Sequence, residues 1–522
     1  VNGFPTDPLL HDVLLPGADD QEAVDGPTGR WTRGRLARYA RTCAAELVRR
    51  GITDGERVLV SLDPVPEAVG VLLACSMAGA VYVPVSPDTP EHRVRQILDH
   101  VTATAWLRAP DGPDARPLPV PAARVADVTA DGLRFYDACP EHPGARRRTL
   151  GTDPAYIVFT SGTTGRPKGI TNSHRALVAF VRALTGHFAL PSTARVATFS
   201  PLSFDLSILD LCLALGSGAT LVQVPRILVH HPRRMLRHLA EHQVTHVSAV
   251  PSIWRPLLAT AGPHTEVPAC VTGIHFTGEH FPGDQVRRLA DLFPGVRLTH
   301  GYGQSESIQC SFRDLPRPLP DAWEEMPIGQ AHDGAELLLI GESGEEVTKP
   351  GGSGELYLRA TTLFSGYWGD PAATRAALVP DPLRPMAPEP VLRTGDLARL
   401  TEDGEFTYLG RRDLQVQVRG NRVELAELER VLLEHADVAH AAALTVDTGG
   451  GDELAAVVVP TGPGRLTRPG LRSFCQEQLP DYMVPRHVLF VPALPLSVHG
   501  KLDRAALAAL IGADLARDDS SD

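Results

Sequence analysis

Between positions 159 and 169 the chain reads FTSGTTGRPKG, a run in which small hydroxylated side chains alternate with glycine and end on a lysine. Such a segment is equipped to hold phosphate. Gly162, Gly165 and Gly169 let backbone N–H groups close on an anion, Thr160, Ser161, Thr163 and Thr164 offer hydroxyl donors, and Lys168 brings a positive charge. It is not a P-loop, because no Gly-Lys-Ser/Thr follows the required spacer, and its plain alternative is a Ser/Thr/Gly turn. Other reactive residue types are dispersed. Seven cysteines, at 43, 75, 139, 212, 270, 310 and 475, form no CxxC pair and no His/Cys set at metal spacing, so they read as small buried hydrophobes in a reducing cytosol. His174, His246, His275 and His499 lack a GxSxG serine, which argues against a hydrolase.

The loop needs a scaffold, and the hydrophobic pattern supplies one. An apolar run at 155–159 leads into it as a strand; 36–50 and 69–78 read as helices, and 57–62 and 81–85 as strands. Further strands are expected at 195–199, 220–224, 244–250, 273–277 and 296–300, each separated by an amphipathic or turn-rich segment. This alternation specifies a helix-covered parallel sheet, with chemistry at the C-terminal ends of its strands. From 337 onward shorter strands (ELLLIG, GELYLRA, EFTYLG) suggest a small β subdomain, and after 411 about a hundred residues read as α+β. The interval 108–121 reads as a surface loop, and the final ADLARDDSSD as frayed.

With 522 residues the chain can bury more than one core. Its net charge of -12, from 62 acidic and 50 basic residues with no long Lys/Arg block, argues against nucleic acid as the main partner. No eighteen-residue apolar stretch and no leader pattern occur, so a soluble cytoplasmic protein without a membrane partner is expected.

After the phosphate loop come, in order, FDLS (204–207), GYGQSE (301–306), GELYLR (354–359), RTGDL (393–397), GRRDLQVQVRGNRVEL (410–425) and LPLSVHGK (494–501). In these motifs the chain resembles the adenylate-forming superfamily of acyl-CoA synthetases, luciferases and peptide-synthetase adenylation domains, from Trp31 to Lys501. The resemblance implies an α/β fold. A large N-terminal domain, 1–411, would carry mostly parallel, helix-covered sheets and the small β subdomain; a small mobile α+β domain, 412–522, would turn on a hinge at Asp413. ATP and Mg²⁺ are the implied cofactors. Gln417, where the family more often has lysine, and Gln304 depart from its pattern at peripheral positions.

Residue by residue, the resemblance places Thr160, Ser161, Gly162, Thr164, Lys168, Gly278, Glu279, Tyr302, Gly303, Ser305, Asp396 and Arg411 around the nucleotide. Asp396 is a carboxylate able to accept both ribose hydroxyls, with an Asx turn as its plain reading. Tyr302 would lie flat on the purine, unless it is an ordinary core aromatic. Glu306 would hold Mg²⁺, a hard cation that prefers carboxylate oxygen, or else serve as a helix N-terminal charge. The catalytic set is Lys501, Glu306 and Thr163. Adenylation drives a carboxylate onto the α-phosphorus of ATP, and a lysine bridging these anions lowers that barrier. Rotation of the small domain would then expose the site to a thiol, with Gly420 leaving room for a pantetheine arm or merely forming a turn.

Asp205 separates subclasses. The resemblance to peptide-synthetase domains implies that it pairs with a substrate ammonium, whereas its plain reading is a helix N-cap. The other pocket positions implied are Leu206, Leu209, Ser248, His275, Thr277, Gly301, Gln309 and Cys310, which hold no second carboxylate and no cation. A neutral, largely apolar substrate side chain follows. Gly216, where relatives place a bulky aliphatic residue, would deepen the pocket for several carbons, or else terminate a helix. With only a short tail after Lys501, the chain is expected to load a separate carrier protein, similar to the enzymes that activate β-amino acids for macrolactam assembly lines. The alternatives are an acyl-CoA or aryl-CoA synthetase, with Asp205 structural, and a non-catalytic nucleotide-binding scaffold.

Overall fold

The computed structural model of the chain describes residues 7–110, 124–136, 148–161, 167–262, 264–320, 323, 326–412, 415–448, 451–462, 464, 466–495 and 502–518. Two compact units are present: Val1–Pro87, Leu98–Phe159 and Gly169–Arg412 form the first, and Asp88–Ile97, Thr160–Lys168 and Asp413–Asp522 the second. Among the described residues no helix is long and apolar enough to cross a membrane.

In the first unit, helix α1 (Arg33–Arg49) starts three residues before the apolar pattern does, because Thr32 caps it, its hydroxyl accepting the Arg35 N–H. Strand β1 (Arg57–Ser61), helix α2 (Pro66–Ala78) and strand β2 (Val81–Val85) follow. Proline opens α2, and Gly79 at φ +76 closes it. β1 and β2 pair in parallel within an eight-stranded sheet that also holds β3 (Pro154–Thr160) and β4 (Lys168–Ser173).

The larger sheet, of 14 strands among the described residues, holds the parallel run the sequence predicts. After α3 (His174–Phe188) come β5 (Arg195–Thr198), α4 (Asp205–Gly216), β6 (Thr220–Gln223), α5 (Pro232–Glu241), β7 (His246–Ala249), β8 (Gly273–Phe276) and β9 (Arg297–Tyr302). Their spatial order is β6-β5-β7-β8-β9, so the chain steps outward from β5 to β6 and then returns to β7 on the other side of β5. A reversal of this kind opens a crevice beyond the strand ends, here between β5 and β7. Thr198, Ser248, His275 and Thr299 are successive register partners, a polar row across four strands.

Beyond β9 the sheet turns antiparallel through β10 (Ser311–Asp314) and β11 (Pro327–Ala331) to β12 (Ala335–Ile340), β13 (Ser353–Ala360), β14 (Val391–Leu400) and β15 (Phe406–Arg411). The strands read as a small β subdomain run on from the large sheet, because β11 pairs with both β10 and β15.

The second unit contains a hairpin of β16 (Gln415–Val418) and β17 (Asn421–Glu424), followed by α6 (Leu425–Leu433). Arg419 and Gly420 both take positive φ, +50 and +76, the geometry of a tight two-residue hairpin turn, so Gly420 has a backbone reason to be glycine. Residues 513–518 of the segment expected to be frayed are helical, and 519–522 lie outside the described residues. Helix α7 (Arg504–Asp518) takes in most of ADLARDDSSD, because Leu507 and Ile511, one turn apart, bury against a small apolar cluster.

Gly216 has a packing reason to be glycine. It is the last residue of α4, and a Cβ there would lie 2.6 Å from Val181 Cγ1 of α3. Close helix packing favours glycine here. Gly216→Leu should therefore destabilise the protein by about 1–3 kcal/mol through overpacking. Urea unfolding checks this, with Val181→Ala in the same chain recovering part of the loss.

Candidate functional site

The nucleotide side grows out of strand pairing. β14 and β15 run antiparallel with Asp396 and Arg411 as register partners, so backbone hydrogen bonds set the two side chains opposite each other. The Arg411 guanidinium donates to Asp396 Oδ1 at 2.7 Å, and the Tyr302 hydroxyl, at the end of β9, donates to Oδ2 at 2.5 Å. Asp396 is only 4% exposed, and its own N–H donates to Thr394 Oγ1 at 3.0 Å. A buried carboxylate persists only where it is paired and hydrogen-bonded, and both conditions hold. Burial first, and the Asp396 charge second, push the Tyr302 hydroxyl well above its ordinary range, so it stays a protonated donor. The carboxylate, the guanidinium and the aromatic ring together make a donor-acceptor set that fits a ribose diol and its purine.

Glu306 is fully buried four residues beyond Tyr302, and the Tyr367 hydroxyl donates to its Oε1 at 2.6 Å. Among the described residues no three His, Cys, Asp or Glu side chains gather into a metal site. A lone carboxylate fits a magnesium ion whose remaining ligands are phosphate and water. Glu279 accepts the Ser252 N–H at 2.8 Å and faces Arg255 at 3.5 Å, while Gly278 before it takes φ +82. Gly303 is pressed against the Gln309 backbone, so no side chain fits there.

On the substrate side, Asp205 is the first residue of α4, and Phe204, not Asp205, is its cap. The half-buried Asp205 carboxylate takes a hydrogen bond from the Ser305 hydroxyl. It follows the C-terminal end of β5 in the chain. Leu206 and Leu209 are buried behind it. Ser248 Oγ lies 3.1 Å from His275 Nδ1, while the Gln309 amide nitrogen lies 3.1 Å from His275 Nε2 and donates to Thr277 Oγ1 at 3.2 Å. This network spans β7, β8 and the β9–β10 turn. Gly301 has no room for a side chain, since a Cβ would collide with Gln309 and His275. Burial, with His300 and His187 adding to it, pulls His275 down to about 3, so the ring is neutral at any working pH. Ile308 holds φ +63, strained for a β-branched residue, in the turn that aims Gln309 inward. The Cys310 thiol, pushed up by burial, lies 3.4 Å from the Tyr302 carbonyl and has no nucleophilic character.

The sequence pattern does not reveal two residues of the site. Tyr367 has no local signal marking it as the partner of Glu306. Asp210, five residues after Asp205 on α4, is a second carboxylate beside the pocket, near the Thr198 and Ser248 hydroxyls; it is fully buried, and neither oxygen meets a hydrogen-bond partner among the described residues. Burial pushes it up to about 7 against the pull of those hydroxyls.

The phosphate loop belongs to the second unit. There the Ser161 hydroxyl donates to the Arg422 carbonyl at 2.7 Å and accepts the Glu424 N–H at 2.9 Å, so its bonding is spent on β17. Thr160 ends β3 and Lys168 begins β4. Gly162, Thr163, Thr164, Asp413 and Lys501 lie outside the described residues.

Comparison with known proteins follows the same division. Residues 16–368 match the AMP-binding enzyme family, and residues 427–501 match its C-terminal domain. The chain is 31% identical over 519 residues to L-proline--[L-prolyl-carrier protein] ligase of Pseudomonas fluorescens, covering 96% of this chain and 99% of that protein. It is 32% identical to a linear gramicidin synthase polypeptide of Brevibacillus parabrevis over 97% of its own length, but spans only a tenth of that protein. The crystal structure of IdnL1 superposes with a TM-score of 0.81 at 40% identity, covering 93% of this chain and 99% of the other.

Asp210 yields a pH prediction. Its folded pKa, about 7, lies above the ordinary 3.8, so the folded state binds more protons between these values and stability falls as pH rises from roughly 4 to 7. Asp210→Asn removes that loss. The variant should melt above the parent at pH 8, with the difference shrinking as pH falls below 7; equal midpoints at pH 8 would reject the buried, uncompensated carboxylate.

Proposed function

We propose that this chain, which belongs to the AMP-binding enzyme family and is an ATP-dependent adenylating ligase, activates an amino acid with a neutral, largely apolar side chain and passes it to the pantetheine thiol of a separate carrier protein. The narrower form of the proposal is an aliphatic β-amino acid. The observation that carries the amino-acid assignment is Asp205, a half-buried carboxylate that begins α4 after the C-terminal end of β5 and is held by Ser305. A substrate ammonium is the natural counter-charge for it. His275, Ser248, Thr277 and Gln309 are all neutral, which supports an uncharged substrate side chain. The carrier-protein acceptor is supported by the named activity of the prolyl ligase, which matches the chain from end to end.

The reaction follows from these positions. Asp205 anchors the ammonium, which holds the substrate carboxylate at one distance from the nucleotide. Asp396 and Tyr302 hold the ribose and purine, fixing the α-phosphorus in line for attack. Magnesium, when bound at Glu306, supplies charge neutralisation to the phosphates. Lys501 bridges the substrate carboxylate and the α-phosphate, Lys168 and Thr163 meet the outer phosphates, and pyrophosphate leaves. The small domain, 412–522, would turn at Asp413 before the thiol attacks the acyl-AMP.

Amino-acid-dependent ATP–pyrophosphate exchange tests this, with α-amino, β-amino and amine-free acids of graded length. Exchange should require the amine. Asp205→Ala should lower kcat/KM at least about 100-fold, the cost of an unpaired ammonium, and Lys501→Ala should abolish exchange. A preference for amine-free acids, with free coenzyme A as acceptor, would replace this reading with an acyl-CoA synthetase.

A further inference from the structure

The chain is acidic overall, -12, yet residues 226–240 contain four arginines, three histidines and no acidic residue. They form a 3₁₀ turn, Arg226–His230, running into α5. Met235, Leu236 and Leu239 bury one face of α5, and this fixes what the opposite face shows. Arg233, Arg234 and Arg237 are exposed with His230 and His231, and among the described residues none of these three arginines has an ion-pair or hydrogen-bond partner. Ile227, 64% exposed, projects beside them. The turn leaves the C-terminal end of β6, where the Val224 N–H is bonded to the Thr198 carbonyl, so the patch opens on the sheet edge that also carries Asp205.

We propose that this face docks the carrier protein through an acidic helix on that partner, the arginines meeting its carboxylates around an apolar contact at Ile227. The proposal rests on the carrier-loading function above and adds to it where the carrier binds. Charge complementarity selects the occupant. An isolated positive patch on a negative protein orients an acidic partner and raises its association rate, while the surrounding negative field repels an extended polyanion. Ten residues of helix span about 15 Å, the reach of one partner helix rather than of a nucleic-acid track.

The test compares the full chain with the variant R233E/R234E/R237E, and with the milder R233Q/R234Q/R237Q should the reversal fail to fold. Three activities are measured: pyrophosphate exchange, aminoacyl transfer to free pantetheine, and loading of a holo-carrier protein with an acidic recognition helix. The carrier KM should rise at least tenfold in the variant, with the other two activities within twofold of the parent. Raising NaCl from 50 to 500 mM should raise the parent's carrier KM steeply and the variant's little. An unchanged carrier KM overturns the docking surface. So does parental binding to duplex DNA or to phosphatidylserine vesicles that the variant loses while its carrier KM stays the same. Absence of amino-acid-dependent exchange in the parent would instead overturn the function, so the two failures are distinguishable.

Discussion

The buried Asp396 carboxylate, gripped by Arg411 on one oxygen and Tyr302 on the other, is the interaction on which the first unit's chemistry depends. It ties the end of the parallel run, β9, to the antiparallel pair β14 and β15. Removing either donor would leave a nearly buried charge short of a partner, which costs more than the lost hydrogen bond itself. The same contact fixes the ring of Tyr302 and, four residues on, the backbone path to Glu306. The structural ion pair and the proposed nucleotide cradle share the same atoms.

The crevice between β5 and β7 adds the second constraint. Thr198, Ser248, His275 and Thr299 are set abreast by register, and a row of small polar groups under an apolar helix must satisfy itself. It does so partially. Ser248, His275, Gln309 and Thr277 bond to one another, yet Gln309 Oε1 and both Asp210 oxygens find no partner among the described residues. Together with the strained Ile308, these are local violations of good packing, concentrated where a ligand would enter.

Much of this is visible in the residues alone. The parallel run emerges within a residue or two at most strand ends, because β-branched segments separated by amphipathic ones admit few other arrangements; β2 agrees at both ends. Asp396, Arg411, Tyr302 and Glu306 stand out in the sequence motifs, and the structure brings Asp396 together with Arg411 and Tyr302. What escapes depends on space rather than pattern. Nothing in the local string GSG says that Val181 fills the volume beside Gly216, or that a tail ending in DDSSD begins as a helix anchored by Leu507 and Ile511. Asp205 and Asp210 look equivalent as letters, but one ends up half-buried on Ser305 and the other in a closed interior.

This contrast explains why the family reads clearly from the chain while its substrate does not. The proposed nucleotide side is positioned by the backbone: Asp396 and Arg411 face each other because two strands pair, and Gly278 and Gly303 are dictated by φ and by close approach. Such geometry tolerates few alternatives and leaves recurring motifs. The acid-binding side is positioned by side chains projecting from a common row, so exchanging one for another alters what fits without disturbing the sheet beneath. Gln309 illustrates the point, since its amide sits where a Gly301 side chain would have to go, and a smaller residue at 309 would open that volume with every strand in place. Chemistry common to the family therefore resides in the frame, and selectivity in the few groups the frame holds out.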